Sequence, residues 1–185
     1  MLNEIFSDTH GRMEKALESL ERDYKRLRTG RASVSLVDGL RVAYYGTPTP
    51  LSQLATLTIP DPRTILIQPW DNSIIGEIEK GILKSELGLT PMNDGKVIRI
   101  NIPPLTTERR KELVKVVKKM AEESKVAVRN IRRDTNEMIK DLKKDKDISE
   151  DEQFRAQEET QKVTDDFIKR IDGLYALKEK EILEI

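Results

Sequence analysis

The sequence contains no cysteine, which rules out a disulfide framework, a thiolate nucleophile and cysteine-held zinc. Histidine is almost absent too. His10 stands alone, so neither a histidine-based catalytic triad nor a histidine-rich metal site can be assembled. No apolar run approaches the ~18 residues that span a bilayer. The first residues, Met1 to Asp8, turn acidic at once and lack the apolar stretch of a secretory or transit signal. These absences fit a soluble protein of a reducing, cytoplasmic compartment. Net charge is missing as well: 33 Lys and Arg balance 33 Asp and Glu, so overall composition gives no reason to expect a polyanionic partner.

The charge that is present is segmental. From Thr107 to Lys146 there are 14 cationic side chains against 8 acidic ones, and from Asp147 to Ile185 there are 6 against 12. The basic segment is where a polyanion would bind. Hydrophobic residues make up 37 % of the chain and charged residues 36 %, which permits a thin core under much solvated surface. Long helices that bury one stripe produce this balance. A length of 185 residues suits one domain or two small ones.

Helical periodicity opens the chain. Phe6, Met13, Leu17, Leu20, Tyr24 and Leu27 form a narrow apolar seam between charged faces, and the helix is expected to stop near Thr29-Gly30. Between Ala32 and Pro104 the period changes. Runs rich in β-branched and aromatic residues appear at Leu40–Tyr45, Leu54–Ile59, Ile65–Trp70 and Val97–Ile102. Turn chemistry separates them at Gly46–Pro50, Pro60–Pro62 and Asn93–Gly95, and helical spacing returns over Ser73–Lys84. All eight prolines fall between Pro48 and Pro104, and the long helical segments have none.

After Thr106 a second long helix is expected, with a seam of Leu113, Val117, Met120, Ser124, Ala127, Ile131, Thr135, Met138 and Leu142. Met13, Met120 and Met138 are read as core. The pattern breaks at Asp145–Ser149, where Ser149 and Glu152 form a capping box that opens a third helix. Val163, Phe167, Ile171, Leu174 and Ile182 carry its stripe. The short connection makes the last two helices an antiparallel hairpin, and the first helix closes the bundle.

The reading is therefore an α+β fold: an elongated antiparallel three-helix bundle of residues 1–29 and 106–185 with a small β/α/β domain inserted at 32–104. Two strands of chain join the two parts. They act as a hinge in this reading, formed by Thr29, Gly30 and Arg31 on one side and Pro103, Pro104, Leu105 and Thr106 on the other.

One cluster stands out chemically. At 100° per residue, Lys125, Arg129, Arg132 and Arg133 fall within an arc of about 100°, while Ile131 points roughly 150° away into the bundle. Arginine suits phosphate because its planar fork binds two oxygens. The alternative is a solvated face salt-bridged to the acidic last helix. A second cationic patch is expected from Arg28-Thr29-Gly30-Arg31 and Thr107–Lys111. The helix dipole accounts for Arg28 but not for Arg109-Arg110 in a first turn.

Other signals fail on their spacing. Asp145, Asp147 and Ser149 copy the opening of a calcium loop, but Glu150 stands where glycine is needed and Ala156 where glutamate is needed. Asn93-Asp94-Gly95-Lys96 lacks the glycine spacing of a phosphate-binding loop. No catalytic residue, metal site or cofactor is assigned. A helical adaptor that binds proteins through its seam is the rival class, and the all-arginine stripe opposite the core argues against it.

Leu27–Ser33, Tyr44–Leu51, Leu87-Gly88-Leu89, Ile102–Thr106, Glu108–Lys111 and Val126–Asp134 together resemble the ribosome recycling factors of bacteria across essentially the full length. Departures are small, Glu86 in place of Asp and Thr107 in place of Glu. The resemblance implies a non-enzymatic, monomeric cytoplasmic factor, tRNA-like in outline. It would bind the post-termination ribosome, mainly large-subunit rRNA, and with elongation factor G and GTP separate the subunits and release mRNA and tRNA. Carried over by position, Arg129, Arg132 and Arg133 would contact rRNA with Lys125 beside them. Arg28, Arg31 and Arg110 would be secondary contacts, and the inserted domain would face the small subunit and the translocase.

Overall fold

The computed structural model describes residues 1–184 and divides the chain into two compact units, Met1–Lys25 with Arg110–Glu184, and Arg26–Arg109. The boundaries differ from those expected at 29 and 106. Arg28 to Arg31 and Pro103 to Thr106 fall within the second unit rather than between the two.

The first unit consists of α1 (Leu2–Arg26), α3 (Thr107–Lys144) and α4 (Glu150–Leu183). Thr9, Met13, Leu17, Leu20 and Tyr24 line the buried face of α1. Phe6 is only half-buried, and Thr9 takes its place in the seam. In α3 the buried row is Leu113, Val117, Ala121, Ser124, Val128, Ile131, Thr135 and Ile139. This corrects the expected seam at Met120, Ala127, Met138 and Leu142, of which Met138 is 41 % exposed. A strict seven-residue repeat drifts about 20° per heptad around a straight helix, and the observed row follows the helix.

Hydroxyls occupy part of this core without leaving orphaned groups. Thr9 and Thr135 meet across α1 and α3 with their oxygens 2.7 Å apart. In α4, Thr160 and Thr164 are buried and donate to the carbonyls of Ala156 and Thr160. A buried donor with a carbonyl four residues back loses little on leaving water. Phe167, 2 % exposed, is the largest apolar group of α4 buried in this unit, and such burial contributes about 2 kcal/mol. The α3–α4 connection ends in the expected capping box. Ser149 Oγ accepts from the Glu152 N–H (3.2 Å), and the Glu152 carboxylate accepts from the Ser149 N–H (2.7 Å).

The second unit contains β1 (Arg41–Tyr44), β2 (Thr47–Pro50), β3 (Ala55–Asp61), β4 (Thr64–Pro69), α2 (Ile75–Lys84), β5 (Pro91–Asn93) and β6 (Ile98–Asn101). β1 and β2 form a hairpin, and the remaining strands form an antiparallel sheet in the order β3-β4-β6-β5. Ile65, Ile67, Ile98 and Ile100 alternate inward from the sheet onto Ile78 and Ile82 of α2, all at 0 % exposure. β2 and β5 correct the sequence reading, which took the first as a turn and placed no strand at the second. Pro48 and Pro50 lie in β2, which pairs with β1 alone, and Pro91 opens the edge strand β5. An edge position tolerates the missing N–H of proline.

α1 stops at Arg26, before the expected Thr29-Gly30. The chain leaves the helix and packs Gly30 onto Leu105. There φ is +80° and an added Cβ would meet Leu105 Cγ at 3.0 Å, so both conformation and space require glycine. No helix among the described residues is long and apolar enough to cross a membrane.

Candidate nucleic-acid interface

A 38-residue helix provides the platform. Its buried face holds α3 in a fixed rotation, so the residues flanking that face keep a constant bearing along its length. On the 100° arc centred near Arg129 lie Lys111, Lys115, Lys118, Lys125, Arg129, Arg132, Arg133, Lys140 and Lys143, with a single carboxylate, Glu122. The remaining acids of α3 lie outside the arc. At 1.5 Å per residue the row from Lys111 to Lys140 runs about 43 Å.

The expected members behave differently. Arg129 is half-buried and Arg133 exposed, and neither has a carboxylate partner among the described residues. Arg132 donates from Nη1 to Oε1 of Gln161 on α4 at 3.2 Å, a neutral contact that orients the guanidinium and leaves its charge uncompensated. Lys125 departs from the reading. Its ammonium bridges Asp172 of α4 and Glu122 (3.2 Å to the latter), and its side chain is 14 % exposed. The hydrogen bond it donates to Asp172 is the main cause holding its pKa above the usual lysine value, against desolvation. Salt-bridging to the last helix, the alternative weighed for the whole cluster, thus applies to Lys125 alone among its four cations.

Arg110 has a local explanation. Its Nη1 donates to the Leu183 carbonyl at 3.3 Å, satisfying a C-terminal carbonyl of α4 from the first turn of α3. Within the second unit, Arg28 and Arg31 are exposed and line a cavity of about 130 Å³ with Gly30, Leu36, Leu87, Leu89, Ile102, Pro103 and Leu105. Thr29 is 2 % exposed and Pro104 is exposed. Thr106 Oγ1 accepts from the Arg109 N–H at 3.2 Å and caps the start of α3.

Sequence reasoning left Lys115, Lys118, Lys140 and Lys143 out of the stripe. Lys140, exposed and without a partner among the described residues, continues it two turns beyond Arg133. Asn136 lies between them, its Oδ1 buried without a hydrogen-bond partner. Extending the same periodicity along the helix would have found all four lysines. No cluster of three or more metal-ligating side chains occurs among the described residues. The arrangement can hold a row of phosphates on a rigid helix, with arginine forks at its centre.

Comparison with known proteins agrees in family. The profile described as "Ribosome recycling factor" matches residues 20–183. A ribosome-recycling factor of Syntrophobacter fumaroxidans is 80 % identical over 185 residues, 100 % of both chains. A solution structure of a ribosome recycling factor matches with a TM-score of 0.80 at 46 % identity, covering 100 % of this chain and 98 % of the other. A second structure shows the T. thermophilus ribosome recycling factor and the E. coli elongation factor G bound to the E. coli post-termination complex. It matches with a TM-score of 0.68 at 51 % identity over 99 % of both chains.

Proposed function

The chain belongs to the ribosome recycling factor family, a family of non-enzymatic translation factors, and from that premise we propose how it acts. It binds the post-termination ribosome in the cytoplasm as a monomer through the cationic face of α3, whose phosphate partners belong to large-subunit rRNA. Elongation factor G with GTP then acts on the bound factor, the subunits separate, and mRNA and tRNA leave. The segments Thr29–Arg31 and Pro103–Thr106, which belong to the second unit but lie within a few residues of its two junctions with the helices, serve as the hinge. The observation that carries this reading is the unneutralised charge of Arg129, Arg132 and Arg133 on a helix face with one carboxylate. A face evolved for solubility alone would interleave the signs.

Co-sedimentation with isolated large subunits across a salt series tests it. The wild type should pellet and weaken steeply with salt, because phosphate contacts release counterions. Arg132→Glu should stay in the supernatant while remaining folded by circular dichroism. Equal binding of the two proteins, or a flat salt dependence, would place the contact elsewhere.

A further inference from the structure

The β1–β2 hairpin carries an anomaly that the cationic stripe does not use. Tyr44 pairs with Thr47, so Tyr45 and Gly46 alone make the turn, with φ of 48° and 79°. Such a turn needs left-handed backbone at both positions and favours Asn-Gly. For a bulky residue this conformation is an outlier. Tyr45 is nevertheless there and 81 % exposed, more than any other large hydrophobic residue among those described. Its ring is braced edge-on against Tyr44, centroids 4.6 Å apart, and Tyr44 itself packs against the buried core of this unit. Local stability gives no reason to place an aromatic ring at a strained tip. Strain of this kind accumulates where a side chain must be presented.

The surroundings indicate what receives it. In a chain that is 36 % charged, no charged side chain occurs from Val42 to Pro60. A phosphate-lined partner would call for cations beside the ring, and the hairpin has only Arg41, paired with Pro50 at the end far from the turn. Aromatic residues with charge depleted around them are the mark of a protein interface core, where one tyrosine in a pocket supplies much of the affinity. We propose that Tyr45 is a docking knob that inserts into an apolar pocket of a protein on or acting at the post-termination ribosome, with the phenol hydroxyl meeting an acceptor at its rim. The inference rests on the recycling reading for its assay, but not on the stripe.

Tyr45→Asn separates the possibilities, because asparagine is at ease in this turn. The variant should melt no lower than the wild type and should pellet with large subunits along the same salt curve. It should split post-termination ribosomes, with elongation factor G and GTP, about tenfold more slowly. Tyr45→Phe should recover most of the rate. A photo-crosslinking benzoylphenylalanine at position 45, on purified ribosomes with elongation factor G, should label protein. Splitting by Tyr45→Asn at the wild-type rate would overturn the proposal, as would a crosslink confined to RNA. Failure of the stripe reading would instead show in Arg132→Glu, whatever Tyr45 does.

Discussion

Lys125 on α3 and Asp172 on α4 form an ion pair that removes one cation from the stripe, while Arg129, one turn further on, has no carboxylate partner among the described residues. The same face of α3 therefore has two roles. One lysine holds the hairpin closed, and the arginines beyond it remain available to a ligand.

Lys125→Met, which keeps the aliphatic stem, should lower stability by about 1 kcal/mol in urea denaturation. It should leave the slope of large-subunit binding against salt unchanged. Arg129→Gln should do the reverse, with little change in stability and a slope shallower by about 0.7 to 0.9 for the one lost phosphate contact. A reduced slope in Lys125→Met would mean that its bridge opens on binding.

The capping box at the start of α4 gives a pH signature. Ser149→Ala should cost about 1 kcal/mol. Hydrogen bonds from the backbone and then the side chain of Ser149 hold the Glu152 carboxyl below its ordinary value of 4.5. A depressed folded-state value contributes stability above the unfolded value, which is lost as pH falls through the folded one. The wild type should therefore melt above Glu152→Gln at pH 7, and the two should converge as pH drops below 4.5. Parallel melting curves at all pH values would refute the assignment.

Tyr24 gives the opposite sign at the alkaline end. Its hydroxyl donates to the Val117 carbonyl at 2.7 Å from a buried position, and burial first, then Tyr175, pushes its pKa up to about 12. The neutral phenol is the favoured form. Its contribution is complete below the unfolded value of 10.0 and is lost as pH rises toward 12. Tyr24→Phe should be less stable by about 1 kcal/mol at neutral pH, and the difference should shrink between pH 10 and 12. Guanidinium titrations at pH 7, 10 and 11.5 would measure it.

Local signals were legible in the sequence and paired ones were not. The capping box, the hairpin of the last two helices and the runs that became β1, β3, β4 and β6 all follow from neighbouring residues. β2 escaped because its prolines read as turn, and only pairing with β1 makes it a strand. The seam of α4 was half-hidden because Ala156, Thr160 and Thr164 are core positions without apolar bulk, made tolerable by hydrogen bonds to their own helix. At the site, spacing located the stripe but could not show that Asp172 would take Lys125 or that the Leu183 carbonyl would take Arg110. Those partners lie on another helix.

The packing of Gly30 against Leu105 also bears on how the chain assembles. α1 and α3 are consecutive elements of one unit, yet residues 27–106 intervene. Closing a flexible loop of that length costs about 4 kcal/mol in chain entropy. Once the inserted unit has folded, Gly30 and Leu105 are already neighbours and most of that closure is complete. The insert thus works as an intramolecular staple. It converts the distant encounter of α1 with α3 into a nearly local one, so the order of events should run from the small unit to the large.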